Sequence, residues 1–542
     1  MSVELEEQVA PSLLAKLAKP RHAALLTGIL RGAEREALRV DSDGKLALSA
    51  HPPSLGSALT HPQITTDFSE ALLEFITPPS HPREEIFGQL DLIQRFVAQE
   101  MHDELLWTAS MPCVLGTDNT IPVAHYGSAN NARMKTIYRL GLGERYGRAM
   151  QTIAGVHYNF SLPDAFWAWM RTRENSLEDL QDYKDRKYFD LIRNFRRYFW
   201  LLIYLFGASP ASCKSFVANR NHDLLSMPHK PTTLYKPYAT SLRMGDLGYQ
   251  STAQESLYVC YNRKDTYIST LCHAITTPYP DYENIGVKNP DGAYKQLNTG
   301  ILQIENEFYS SIRPKRTSKT GETALLALCN RGVEYIEVRC LDIDPFNPLG
   351  FHREQIRFLD NFLLWCCMLP SPQCDQAEAD IMLKNQKSVV NEGRDPNLQL
   401  LDFNGQPKAL RSWANELLKD MQNLAEVLDM AFSASNGDGP GFQESLEAQI
   451  AKVNNASLTP SARLLHALES ENLSYPEYAL KLSKTHTEAL RADTLPKKIH
   501  ERFKKISELS LQKQKQLEAQ EQMDFDLYLE KYYAQYGRCC AS

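Results

Sequence analysis

Four stretches of the chain place acids at the period of a β-strand, on one side each time. In residues 29–40, Glu34 and Glu36 sit two apart, and on an extended chain that spacing turns both carboxylates to the same face. In residues 72–77, Glu74 opposes Leu73 and Phe75, and Pro78 and Pro79 end the run, since proline cannot donate to a sheet ladder. Residues 296–312 predict a strand with Gln303, Glu305, Glu307 and Tyr309 on one face against Leu302, Ile304 and Phe308. Residues 333–340 predict another, with Tyr335, Glu337 and Arg339 against Ile336 and Val338. A further alternating stretch, 150–162, sets His157, Asn159 and Ser161 against Val156, Tyr158 and Phe160, and Asp67 precedes the second acidic strand.

Taken singly, each residue has an ordinary explanation. Acids on strands are mostly solvated, and Glu-Arg-Glu also reads as a charged outer face. His157 alone reads as a hydrogen-bonded structural residue, Arg339 as the ion-pair partner of Glu337, and Tyr138, Tyr249 and Tyr309 as core aromatics. The joint pattern is harder to dismiss. Strands with one wet face are typical of antiparallel sheets, and several carboxylates brought together repel and raise one another's pKa unless cations lie among them. Oxygen ligands, with no His or Cys at ligand spacing, favour Mg²⁺ or Mn²⁺ over zinc. Arg339, His157 and Asn159 share these faces, and Arg313-Pro-Lys-Arg316 lies beyond the third acidic stretch. Cations over a metal–carboxylate floor suit phosphate oxygens and phosphoryl transfer.

Other features exclude more than they assign. A net charge of -7 over 542 residues argues against nucleic-acid binding through bulk charge. The apolar run near residues 198–208 is far short of a membrane span, and the N-terminal residues show no basic-then-apolar leader. Eleven scattered cysteines read as reduced thiols of a cytoplasmic chain. Gly141, Gly143 and Gly147 have the wrong spacing for a nucleotide fingerprint, and no strand precedes them. Helical periodicity predicts helices over 1–27, 84–106, 176–206, 359–368 and 497–533, with 433–441 a loop, and helix dominates beyond about residue 372.

Several motifs together resemble the glutamate–cysteine ligase family in its monofunctional bacterial form. They are Arg31-Gly-Ala-Glu-Arg-Glu-Ala-Leu-Arg-Val40, Leu55-Gly-Ser-Ala-Leu-Thr60, Ile64-Thr-Thr-Asp-Phe-Ser-Glu-Ala-Leu-Leu-Glu-Phe-Ile-Thr-Pro78, Gly155-Val-His-Tyr-Asn-Phe-Ser161, Gln303-Ile-Glu-Asn-Glu-Phe-Tyr309 and Glu334-Tyr-Ile-Glu-Val-Arg339. Tyr238-Ala-Thr-Ser-Leu-Arg243 and Ile312-Arg-Pro-Lys-Arg316 match more briefly. The resemblance implies an α+β fold: a glutamine-synthetase-like funnel of antiparallel strands flanked by helices, with a catalytic core over 1–370 and a mainly helical region over 371–542. It implies ATP-dependent ligation of L-glutamate to L-cysteine through γ-glutamyl phosphate, the first step of glutathione synthesis, in a cytoplasmic monomer inhibited by glutathione, with no nucleic-acid or membrane partner. Carried over motif by motif, Glu34, Glu36, Asp67, Glu74 and Glu337 would hold Mg²⁺, with Mn²⁺ as an alternative. Arg339 would stabilise the transferring phosphoryl group, and His157 would touch the glutamate or phosphate side. Phe68, Tyr138, Leu142, Gln151, Arg243, Tyr249 and Tyr309 would form the cysteine pocket. Glu305 and Glu307 lie in a matching motif without an assigned role. A ligase for another amine, a metal-dependent phosphohydrolase and a non-enzymatic helical scaffold using residues 372–542 are the rival readings.

Overall fold

The computed structural model describes residues 8–218, 220–248, 252–255, 257–433 and 441–540. Its strands in chain order are β1 (Leu30–Val40), β2 (Ile64–Thr66), β3 (Leu72–Ile76), β4 (Leu105–Leu106), β5 (Val156–Ser161), β6 (Ala211–Cys213), β7 (Leu225–Met227), β8 (Lys230–Tyr235), β9 (Ile312–Lys315), β10 (Tyr335–Leu341), β11 (Gln399–Leu401) and β12 (Pro407–Ala409). The principal sheet runs β2-β3-β1-β5-β10-β9, with β4 added beside the end of β1. Every pairing along that path is antiparallel. β6–β8 form a small separate sheet, and β11–β12 a hairpin.

Register decides what each face carries. One face collects Ala33, Ala37, Leu73, Phe75, Val156, Tyr158, Phe160, Ile336 and Val338, all buried. It is covered by helices Arg83–Glu100 and Arg353–Met368. β1 also sends Arg31, Arg35 and Arg39 to this side, each at most 1% exposed. Buried guanidinium groups are tolerated only when their donors are met. Arg31 pairs with the equally buried Asp360 at 2.8 Å, which also accepts from the Tyr158 hydroxyl at 2.7 Å. Arg35 donates to Gln94, and Arg39 to Glu104 and to the carbonyls of Ser49, Ala50 and Glu70. The middle residue of Glu-Arg-Glu therefore belongs to the core, not to a solvent face.

The strand expected over 296–312 does not form. Residues Glu305–Glu307 make a 3₁₀ turn, and the strand begins only at Ile312. Both acids find partners that a flat strand would not reach. Glu307 is ion-paired with Arg145 at 2.9 Å, both side chains fully buried, and accepts from the Tyr146 hydroxyl and the Gln303 N–H at 2.6 Å each. Glu305 accepts from the Ala324 N–H at the start of helix Ala324–Arg331 and from the Tyr536 hydroxyl. The predicted helices break where local chemistry dictates. Pro20 starts a new turn after Pro11–Leu17, and 176–206 divides into Leu180–Tyr198 and Trp200–Phe206. The 497–533 helix splits into Lys497–Gln520 and Phe525–Cys540, where the Asp524 carboxylate accepts from the N–H groups of Asp526 and Leu527 as an N-cap. Tyr249 and most of the loop predicted over 433–441 lie outside the described residues. The main apolar core runs from Val9 to Cys539 and so includes residues on both sides of position 370.

Two stability predictions follow from these burials. Asp360→Ala removes the carboxylate that answers Arg31 and Tyr158, and breaking a buried pair costs about 3–5 kcal/mol; a denaturant midpoint lowered accordingly is the expected readout. Burial pushes His51 and His61 down to about 4, and the His61 Nδ1 accepts from the N–H groups of Gln63 and Ile64. Below the ordinary imidazole range the unfolded chain takes up protons that the native chain does not. Stability should therefore fall as pH drops from about 6.5 toward 4, by up to about 1.4 kcal/mol per pH unit for each imidazole. His61→Gln should flatten that slope in denaturant titrations at stepped pH.

Candidate functional site

The other face of the principal sheet carries the acids. Glu36 stands opposite Glu74 across β1–β3, and Glu34 opposite His157 across β1–β5. Asn159 faces Glu337 across β5–β10, and Glu337 faces Arg313 across β10–β9. Asp67 sits in the turn from β2 to β3, close enough that its charge raises the pKa of both Glu36 and Glu74. The structure thus brings Glu34, Glu36, Asp67, Glu74, His157 and Glu337 to one region.

Hydrogen bonds fix the floor. Glu34 accepts from Asn159 at 2.8 Å, and its other oxygen lies 3.2 Å from His157 Nδ1. The Gly155 N–H donates to Glu36 at 2.6 Å, while His157 Nε2 lies 3.8 Å from the second Glu36 oxygen. Glu337 receives Arg339 at 3.1 Å and Lys315 at 3.4 Å. The carboxylates divide electrostatically. Burial raises Glu337, but Lys315, Arg339, His157 and Arg313 outweigh it and hold the group well below the usual range. Glu34 is likewise lowered: burial and the charge of Glu337 raise it, but the bond from His157 together with the charges of His157 and Lys315 outweighs them. Glu36 is raised, chiefly by burial. Glu74 is pushed well up by burial and then by Glu34, Asp67 and Glu36.

This donor set fits a hard divalent cation. Ligand atoms of Glu34, His157 and Glu337 all lie within 4.8 Å of one another, and a cation there would offset the burial and the acidic neighbours that raise Glu36 and Glu74. One expectation changes. The spacing argument read the ligand set as oxygen-only, yet β1–β5 register places the His157 imidazole inside the acid cluster. An imidazole beside carboxylates suits Mn²⁺ as well as Mg²⁺.

Arg243, Tyr309 and Arg339 line a cleft of about 470 Å³ with Arg196, Phe199, Gln254 and Tyr258. Arg243 is 1% exposed, donates to the Arg339 carbonyl at 2.8 Å and lies 3.8 Å from Asp342. The Gln151 amide and the Tyr309 hydroxyl bond to each other at 2.8 Å. Tyr138 and Leu142 project from helix Asn130–Tyr146, and Phe68 packs close to Gly143 of the same helix. Glu305 and Glu307, whose acids matched the pattern, are committed to structural partners away from the floor. Sequence reasoning missed Asp342, which accepts from the Ala208 N–H and the hydroxyls of Ser209 and Ser241. No spacing signal links those residues, because the partners are over a hundred positions away.

An antiparallel sheet with buried carboxylates on one face, flanked by guanidinium and ammonium groups, defines an α+β enzyme equipped for phosphate chemistry. The chain belongs to the glutamate–cysteine ligase family, whose profile matches residues 14–389. It is 58% identical over 529 residues to the glutamate–cysteine ligase of Saccharophagus degradans, covering 98% of this chain and 99% of that one. With the glutamate–cysteine ligase of Pseudomonas aeruginosa it shares 50% identity over 521 residues, covering 96% and 97%. The crystal structure of the Francisella tularensis glutamate–cysteine ligase in complex with AMP superposes with a TM-score of 0.88 at 37% identity, covering 94% of this chain and 99% of that one. The fold is shared more distantly with a bifunctional glutathione synthetase from Pasteurella multocida, with a TM-score of 0.66 at 22% identity, covering 89% and 54%.

A Cβ on Gly155 would stand 2.1 Å from Arg243 Nη2, so the guanidinium would have to shift toward the cleft it lines and off the Arg339 carbonyl it bonds. Gly155→Ala should therefore lower kcat/KM at least about tenfold, the consequence of a catalytic-site group misplaced by around 1 Å, in steady-state kinetics on a variant whose melting temperature is nearly native.

Proposed function

We propose that the acid-lined face is where this chain performs its family's reaction, the ATP-dependent joining of the L-glutamate γ-carboxylate to the amino group of L-cysteine through γ-glutamyl phosphate. The observation that carries this reading is the convergence of Glu34, His157 and Glu337 within ligand distance of one another, with Arg339 and Lys315 on the last of them. Glu34, Glu36, Asp67, Glu74 and Glu337, with His157 among them, are assigned to Mg²⁺ or Mn²⁺. Cations held by these residues would neutralise charge on the phosphate oxygens of ATP.

The protein's own groups divide the remaining work. A glutamate γ-carboxylate oxygen attacks the γ-phosphorus, the bond to the β-phosphate oxygen breaks, and ADP leaves. Arg339, a fixed and always-charged donor, is assigned to the oxygens of the transferring phosphoryl group, where charge stabilisation supplies most of the rate. The cysteine amine then attacks the acyl carbon and phosphate departs, the amine losing its proton. Arg243 is assigned to the cysteine carboxylate. Phe68, Tyr138, Leu142, Gln151, Tyr249 and Tyr309 are assigned to the slot for the small thiol side chain. The catalytic core is placed in residues 1–370 and a supporting role in 371–542. Family membership supports the further reading of a cytoplasmic monomer under feedback inhibition by glutathione; among the described residues no helix is long and apolar enough to cross a membrane.

Glu34→Gln and Glu337→Gln should each reduce ligation by about a hundredfold or more, the scale of lost electrostatic stabilisation at a reacting phosphoryl group, with the fold intact. The test is a coupled assay for ADP release with and without L-cysteine. Near-normal rates at saturating Mg²⁺ would defeat the cation assignment. ADP release without either amino acid would favour the phosphohydrolase, and equal stimulation by other amines a different ligase. Calorimetric titration of Mn²⁺ into the unreacted protein should lose its heat in the same variants.

A further inference from the structure

The walls of the proposed cysteine slot come from two segments far apart in the chain: helix Asn130–Tyr146, which carries Tyr138 and Leu142, and residues 303–309, which end in Tyr309. Gln303 joins them. Its side-chain N–H donates to the Tyr138 carbonyl at 3.1 Å, and its side-chain oxygen accepts from the Leu297 N–H at 3.0 Å. The fit is tight, because a Cβ on Gly141 of the helix would stand 2.2 Å from the Gln303 oxygen.

Both walls are held from outside by the C-terminal helix Phe525–Cys540, which lies beyond the residues matched by the family profile. Against the first wall, Phe525 and Leu529 pack with Met134 and Ile137 in an apolar cluster separate from the main core. The Arg133 guanidinium lies over the Phe525 ring at 4.2 Å. The start of helix Asn130–Tyr146 is tethered as well: the Asn130 N–H donates to Glu521 at 3.1 Å, and its side-chain amide to the Met523 carbonyl at 2.7 Å. Against the second wall, the Tyr533 hydroxyl donates to the Gln303 carbonyl at 2.9 Å, and the Tyr536 hydroxyl to the buried Glu305 carboxylate.

We propose that helix Phe525–Cys540 is a positioning element for the amine substrate: by clamping both walls it sets the width of the cysteine slot, with Tyr533 and Tyr536 as its positioning residues. The inference rests on the reading that Tyr138, Leu142 and Tyr309 form that slot. None of the contacts described for this helix reaches the acid-lined floor, so its influence should fall on cysteine and spare glutamate and ATP.

The experiment compares Tyr533→Phe, Tyr536→Phe and Phe525→Leu with Leu142→Ala and Tyr309→Phe, which act on the slot itself, measuring KM for each substrate, kcat and melting temperature. Losing one hydrogen bond to a positioned group corresponds to a change of about two- to tenfold. The expected result is a rise of that size in KM for cysteine, with KM for glutamate and ATP within about twofold. Tyr309→Phe should mask most of the added effect of Tyr536→Phe in the double variant, since both act on the wall formed by residues 303–309. Parallel rises for all three substrates, or an unmoved KM for cysteine in folded variants, overturn the clamp. If Leu142→Ala and Tyr309→Phe also leave KM for cysteine unmoved, the slot reading has failed instead.

Discussion

Mutual repulsion of carboxylates on one face of a sheet is the constraint that the remaining structure has to answer. Two such charges about 4 Å apart repel by about 4 kcal/mol at the effective dielectric of a protein interior near its surface, and here five acids share a small region. Left to relax, they would turn apart. Antiparallel pairing on both sides of β1 denies them that freedom. The ladder puts Glu36 against Glu74 and seats Glu34 beside His157 and Asn159, so backbone pairing fixes positions that the side chains alone would not keep.

The opposite face of the same strand supplies the anchorage. Arg31, Arg35 and Arg39 are buried directly behind the acids, and each is tied to a different element: Asp360 on helix Arg353–Met368, Gln94 on helix Arg83–Glu100, and Glu104 with the loop carbonyls of Ser49 and Ala50. Alternation of Arg and Glu along β1 thus does two opposed things. Forward, it gathers negative charge on one face; backward, it fixes the strand in the core by charge-assisted bonds that resist sliding. A one-residue slip would exchange the two faces entirely and bury Glu34 and Glu36 among apolar helices, so register is specified from both sides at once.

Legibility in the sequence followed how local each interaction is. β1, β3, β5 and β10 could be read because a period of two is a property of neighbouring residues, and proline and glycine mark their ends. The acids of the floor were legible for the same reason. Residues 303–307 alternate just as well and still do not form a strand, because Glu307 answers Arg145 and Tyr146 some 160 positions earlier, while Glu305 answers a helix start and Tyr536. His157 was legible as a residue of the acid-bearing faces, but its place against Glu34 was not, nor was the burial of Arg35, since both depend on which strand or helix lies alongside. The family motifs carried the chemistry, which periodicity has no means of stating.

Position in the chain and position in the fold are decoupled at the C-terminus. The family profile ends at residue 389, yet the apolar core continues through helices as far as Cys539, and the last helices reach back across the start of the chain. The N–H of Ser57 donates to Ser510, and the Ser57 and Thr60 hydroxyls donate to Gln514 and the Ser510 carbonyl. The Ser128 N–H donates to Glu518. The Ser57 and Ser128 bonds through backbone N–H fix the path of the loops that approach β2 and helix Asn130–Tyr146, and the Ser57 and Thr60 hydroxyls add side-chain ties to the same helix. The grip therefore depends on the Ser510, Gln514 and Glu518 side chains of helix Lys497–Gln520 as well as on the direction of that helix. The acid-lined face adds a demand of register: Glu34, His157 and Glu337 come within 4.8 Å of one another only because three strands align them.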